Sequence, residues 1–305
     1  DASALGSSLD TDRVDEDGAT LSLGTVVEDG ATLSLGTVTI AAESLLISGS
    51  GTSNSGGALY VSSANEGENG EQAEYNGSIS LATSARIGSV GPLTLGGTID
   101  TSDATLTLNA TSSGSIDVNN SITGNTSSFD DNVLFDGGGI ITVGATNSYL
   151  GATSIRNGTR VIMSVSGALP ATNGRTSLAM DASGAGSSSL DLTGASQSIA
   201  SLAGDSTSTI TLGNDALTIG HGSGANLNGT SDANFQGVIS GAGALIKDDS
   251  SLQELSGANT YEGVTSITGG GLTVSDSSAL GSAVSGTTVA SGASLVVNGV
   301  TIGEV

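Results

Sequence analysis

Apolar residues alternate with small polar ones along almost the whole chain. Leu21-Ser22-Leu23, Leu33-Ser34-Leu35, Leu93-Thr94-Leu95, Leu106-Thr107-Leu108, Ile116-Asp117-Val118, Leu190-Asp191-Leu192 and Leu272-Thr273-Val274 are examples. Each puts two apolar side chains on one face and a small polar one on the other, the pattern of a half-buried strand. Gly, Asn, Ser and Asp separate the runs and supply turns and positive φ. No stretch keeps a helical apolar period, so helix content is expected to be close to nil. Successive runs begin at Leu93, Leu106 and Ile116, roughly 10 to 13 residues apart, which suits a sandwich, a barrel or a solenoid. Small residues at every turn, few aromatic plugs and repetition at several lengths favour the solenoid. The expected fold is all-β, a right-handed parallel β-helix of about a dozen rungs at roughly 20 to 25 residues per rung.

Repetition carries the domain reading. Asp1-Ala2-Ser3-Ala4-Leu5-Gly6-Ser7 returns as Asp276-Ser277-Ser278-Ala279-Leu280-Gly281-Ser282, identical at six of seven positions and 275 residues later. Gly30-Ala31-Thr32-Leu33 and Val38-Thr39-Ile40 return as Gly292-Ala293-Ser294-Leu295 and Val300-Thr301-Ile302. A second repeat, offset by 112, pairs Tyr149-Leu150-Gly151-Ala152-Thr153-Ser154-Ile155 with Tyr261-Glu262-Gly263-Val264-Thr265-Ser266-Ile267. After a one-residue slip it pairs Ala168-Leu169 with Ala279-Leu280. A third duplicates the 12-residue block Val14–Val26 as Val27–Val38. A solenoid tolerates that last insertion only if it adds a strand or loops out without changing phase. Residues 1–305 are read as one solenoid: a unit of about 275 residues plus overlap, cut from a longer array. Ala64 to Asn76, with four Glu, is expected to be a solvated excursion.

Charge removes several partners. Thirty acids against six bases give a net charge of −24, which argues against nucleic acid or an anionic membrane. No apolar run is long enough to span a bilayer as a helix. Cysteine is absent, which fits an exported bacterial protein without requiring one.

One stretch resembles a known family. Phe235-Gln236-Gly237-Val238-Ile239-Ser240-Gly241-Ala242-Gly243-Ala244-Leu245-Ile246-Lys247 leads to Leu255-Ser256-Gly257-Ala258-Asn259-Thr260-Tyr261-Glu262-Gly263. Thr265, Ile267, Gly271-Leu272-Thr273-Val274 and Ala279-Leu280-Gly281 follow. This is similar to the autotransporter-associated β-strand repeat, and a weaker copy runs from Ile140 to Leu169. The segment Asp248 to Glu254 is more acidic than the family pattern. The resemblance implies a right-handed parallel β-helix in very large bacterial surface or secreted proteins.

Candidate chemistry is thin. Gly204-Asp205-Ser206 looks like the G-D-S of serine-protease passengers, with His221 the one histidine in the chain. A triad needs Ser206, His221 and an Asp to converge, and a plain Ser-rich corner is the better reading. Asp10, Asp12, Asp15, Glu16 and Asp17 precede Gly18, but Arg13 breaks the calcium-loop pattern, so a solvated acidic edge is expected. Calcium is the one cation the composition permits, and no zinc site can form from one His and no Cys. A lyase-like grouping would bring Arg156 and Arg160 to Asp130, Asp131 and Asp136; surface pairing is the simpler expectation. Thr37-Val38-Thr39, Thr105-Leu106-Thr107 and Thr207 to Thr211 are strand residues and do not recur at a fixed rung interval.

The sequence therefore points to a non-enzymatic structural repeat of an extracellular or bacterial cell-surface protein: a scaffold, stalk or matrix filament. No catalytic, cofactor or metal residues are expected. The partner is expected to be the same unit, joined covalently in tandem or docked end to end. The alternative is an autotransporter-like adhesin binding glycans or host-surface partners.

Overall fold

The computed structural model describes residues 24–53, 55–62, 72–124, 132–171, 176–181, 186–220 and 233–303, with the backbone of two further strands at Asp12–Val14 and Thr20–Ser22. Among these residues the regular structure is β, with no helix, and almost every strand pairing is parallel. The chain winds as a β-solenoid with three strand rows, visited in a fixed order on each turn.

The first row is the longest. Leu33–Leu35 pairs with Leu59–Val61, which pairs with the second half of Ile79–Ser89. The row continues through Leu106–Ala110, Val133–Asp136, Thr153–Ile155, Ser177–Met180, Ser201–Gly204, Ala233–Phe235, Leu252–Leu255 and Gly271–Val274 to Ser294–Val297, twelve strands in all. The second row holds nine strands, from Thr39–Ile40 and Ala73–Tyr75 to Val238–Ser240. The third starts with Thr25–Val27, Leu45–Gly49 and the first half of Ile79–Ser89, and runs on through Ile99–Asp100 and Ile122–Thr123. It then passes along residues 147–148 and 167–169, where backbone bonds persist without a named strand. It ends with Gln197–Ile199, Ala216–Ile219, Ala244–Lys247, Thr265–Ile267 and Thr287–Val289.

Stacking converts the two-residue period into ladders. In the second row Leu93, Ile116, Ile141, Val161, Leu190, Ile210 and Ile239 lie in register, each 1% exposed or less. Each such side chain stabilises the fold by about 1.5–3 kcal/mol relative to exposure. The expected inward set holds for Leu95, Leu108, Ile155, Ile267 and Leu272, all buried. Leu33 is half-buried, and the side chain of Leu21 lies outside the described residues.

Glycine allows corners to stack closely. A Cβ on Gly257 would fall on the carbonyl oxygen of Gly237 one rung below, so only glycine fits.

Three expectations change. Aromatic plugs are few but not missing: Tyr75, Tyr149, Tyr261, Phe135 and Phe235 are among the largest fully buried side chains. Phe235 packs its ring over Gly204, its ladder partner, filling the space a larger residue would take. The excursion expected over 64–76 ends early. Residues 63–71 lie outside the described set, but Ala73–Tyr75 is a second-row strand paired with Leu93–Leu95. Ala73 and Tyr75 point inward and Glu74 between them does not, a period-two triplet masked by the acids before it. Finally, the duplicated block does not add a rung. The first copy's Thr20–Ser22 pairs antiparallel with Asp12–Val14, while the second copy's Leu33–Leu35 joins the parallel first row.

Candidate functional site

The polar residues that the fold buries sit at its corners. Asn147 Oδ1 accepts from Ile122 N at 2.6 Å, and its Nδ2 donates to Ala168 O at 2.7 Å. Its carboxamide thus stands between two rungs as a peptide unit would. Asn259 repeats the arrangement: Oδ1 accepts from Ile239 N at 2.8 Å and Nδ2 donates to Ala279 O at 2.6 Å. Two residues on, Tyr149 and Tyr261 share a hydroxyl bond with Thr153 and Thr265, at 2.7 and 2.5 Å. The 112-residue repeat is therefore a structural module, Asn-x-Tyr-x-x-x-Thr, with every polar atom matched.

The two modules occupy different corners. Asn147 and Tyr149 lie on the third row and lead into the first-row strand Thr153–Ile155. Asn259 and Tyr261 lie on the second row, since Thr260 N donates to Ile239 O, and lead into the third-row strand Thr265–Ile267. The same sequence thus builds two different edges of the solenoid.

The longer repeat keeps its face. Leu33 and Leu295 both lie on the first row, eleven strand steps apart. Those steps span 262 residues, about 24 per turn. The opening heptad is offset by 275 because the first copy carries the extra 12-residue block. That block's strand lies off the parallel rows, so the phase of the coil is preserved.

The rung built from Thr287–Val289 and Ser294–Val297 differs from those beneath it. Each of its strands has a partner on one side only. Val289 and Val297 stand in register with buried Ile267 and Val274, yet each is 46% exposed. The equivalent inward residues of the first rung, Val27, Leu35 and Ile40, are buried.

The charged candidates are engaged elsewhere. Asp205 Oδ1 accepts from the backbone N and hydroxyl of both Thr207 and Ser208, so it caps its own turn, and Ser206 is exposed at that turn. His221 lies outside the described residues, as do Asp10, Asp15, Glu16, Asp17, Asp130 and Asp131; for Asp12 only the backbone is described. Arg156 pairs with Asp181 at 3.4 Å and Arg160 with Asp191 at 2.8 Å, both half-exposed arginines. Asp136 instead accepts from Asn157 and Gly137 N. Burial pushes the Asp191 carboxyl up, but Arg160 and the Thr193 hydroxyl and amide outweigh it and hold it below its ordinary value. Among the described residues no group of three or more His, Asp or Glu side chains could hold a metal. A hollow of about 510 Å³ lies on the third row beside Ser121, Thr123, Thr146, Asn147 and Ser148, with neutral hydroxyls and no aromatic wall.

Sequence reasoning missed the buried amides. Asn147, Gln197, Gln253 and Asn259 read as loop or outward residues, yet each is buried and bonded to backbone groups. The Asn of the 112-residue repeat, two residues before each Tyr, was the available signal. Compared with protein-family models, with curated proteins and with solved structures, the chain gives no match.

Proposed function

We propose that this chain is a length of structural β-solenoid from an extracellular or cell-surface repeat protein, serving as a scaffold, stalk or matrix filament and performing no catalysis. The observation that carries the reading is the in-phase restart: Gly292 to Ile302 repeats Gly30 to Ile40 on the same row after a whole number of turns. A chain bearing successive units would continue one ladder without a twist defect. Eleven steps at strand spacing give an axial repeat of about 53 Å. The resemblance to autotransporter-associated repeats supports an exported, bacterial setting, and the acidic surface suits a soluble exterior.

Electron microscopy of native material, together with the mass of the denatured native chain, tests this. Extended rods with an axial period near 53 Å are expected; compact particles of one unit's length on a chain no longer than this one overturn it. The adhesin alternative has the hydroxyl-lined hollow at Thr123 and Asn147 as its best address. A glycan array that gives saturable binding, lost on Thr123→Val, favours it over the rod.

A further inference from the structure

Exposed apolar surface is concentrated at one end of the solenoid. Of nine large apolar side chains exposed among the described residues, six come from Leu252 onward: Leu252, Val264, Val284, Val289, Val296 and Val297. Val289 and Val297 are inward residues with nothing above them. Val296 is different. It stands in register with outward Thr273 and Glu254, so its exposure belongs to the side of the rung.

Charge singles out the same end. Ser277 to Gly303 contains no charged residue, and this is the longest charge-free run in a chain with 30 acids. Charge depletion with apolar exposure marks the centre of a protein interface. The edge also lacks the lysines, prolines or bulges that keep open strands apart. The opposite end offers no such surface. Its inward residues Val27, Leu35 and Ile40 are covered, and Glu28, Asp29 and Glu43 lie beside them.

We propose that the rung Thr287–Val297 is a homodimer interface that binds the same rung of a second copy about a two-fold axis. The occupant follows from complementarity. The Val27 end of another copy is closed and acidic, so it presents neither open strands nor bare core. The one surface of this chain with unpaired strand edges, uncovered valines and no charge is this rung itself. Two-fold contact makes it self-complementary. Ser294–Val297 then pairs antiparallel with its own copy, and Val289 and Val297 are covered from above. One turn of about 24 residues matches the 20 to 30 residues per side that a stable interface uses. Each chain carries −24, so contact at the uncharged end keeps the two acidic bodies apart, and added salt strengthens the dimer by screening what repulsion remains. This inference rests on the fold and not on the rod reading.

The test is sedimentation equilibrium of the 305-residue chain at low and high salt. The expected result is twice the chain mass, with a tighter dimer at high salt. Val289→Asp with Val297→Asp is expected to give a monomer with an unchanged β circular-dichroism spectrum, while Val26→Asp at the far end leaves the dimer intact. Val296→Cys, in a chain with no other cysteine, is expected to form a disulfide between two copies, because residue 296 lies next to its own counterpart only across a two-fold. A monomer at ~100 µM, or a concentration-dependent head-to-tail polymer, overturns the proposal. So does a dimer that survives the double Asp variant, or one in which Val296→Cys does not cross-link.

Discussion

The carboxamide of Gln253 exchanges two hydrogen bonds with the backbone of Leu202, 51 residues earlier. Leu202 N donates to Oε1 at 3.0 Å, and Nε2 donates to Leu202 O at 2.8 Å. Nε2 also reaches Ala233 O at 2.8 Å. The intervening strand Ala233–Phe235 registers with Ser201–Gly204 at a single pair, Gly204 with Phe235. Leu202 thus has no peptide opposite it, and a side-chain amide from the following rung takes that place.

Removing this amide strands two buried backbone groups. Each unsatisfied group costs about 1–3 kcal/mol. Gln253→Leu should therefore destabilise by roughly 2–5 kcal/mol in urea unfolding, although it adds apolar volume. Gln253→Glu should be no better at neutral pH, because a carboxylate cannot donate to Leu202 O. A stable Gln253→Leu chain contradicts the peptide-mimic role.

Asn147 and Asn259 give a paired prediction. They make the same two bonds at different corners, so Asn147→Ala and Asn259→Ala should lower stability by similar amounts, about 2–4 kcal/mol each. Lying in distant rungs, they should add when combined. Separate unfolding curves check this. A large inequality means that the corner, and not the module, decides the cost.

Much of the coil was legible in the sequence because the ladder positions are plain. Leu95, Leu108 and Leu272 sit in period-two triplets and point inward. The phase of the coil was not legible. Turns differ in length, from 20 residues between Ile141 and Val161 to 29 between Val161 and Leu190, so a sequence offset does not state which row a repeat falls on. That is why the 112-residue module shifts corner while the longer repeat keeps its row. Identity fails in the other direction too. Thr20–Ser22 and Leu33–Leu35 come from twin blocks, yet one pairs antiparallel and the other parallel, because pairing depends on what lies beside each.

Tyr75 sets an alkaline limit. Its hydroxyl donates to Glu43 O at 2.7 Å, and burial, then the charge of Glu43, raises its pKa well above the ordinary tyrosine value. The unfolded chain ionises this group near pH 10, while the folded chain holds it neutral. Stability from this site is thus complete below about pH 10 and declines as pH rises beyond it. Tyr75→Phe should be less stable at neutral pH by about 1 kcal/mol, with a shallower loss above pH 10. Denaturant midpoints measured from pH 7 to 11 check it; parallel curves for the two proteins contradict it.

Lys247 tests whether a buried cation is held by charge or by its stem. It occupies an inward position in register with Ile219 and Ile267 and is 1% exposed. Its Nζ reaches Asp249 Oδ1 at 2.8 Å and also donates to Asp248 O. Asp249 does not depend on it alone. The same Oδ1 accepts from Ser251 N at 2.9 Å and Ser251 Oγ at 2.7 Å, and its side chain is 14% exposed. Replacing a buried ion-pair partner with an apolar side chain of similar volume is often close to neutral when the other charge keeps its bonds. Lys247→Met preserves the stem in the ladder between two isoleucines, so it should cost less than about 1.5 kcal/mol. Lys247→Ala loses the stem as well and should cost about 2–4 kcal/mol through the cavity it leaves. If both variants fall by the same large amount, the ammonium is what Asp249 and this corner require; a small loss for Met beside a large one for Ala assigns the stability to packing of the lysine stem.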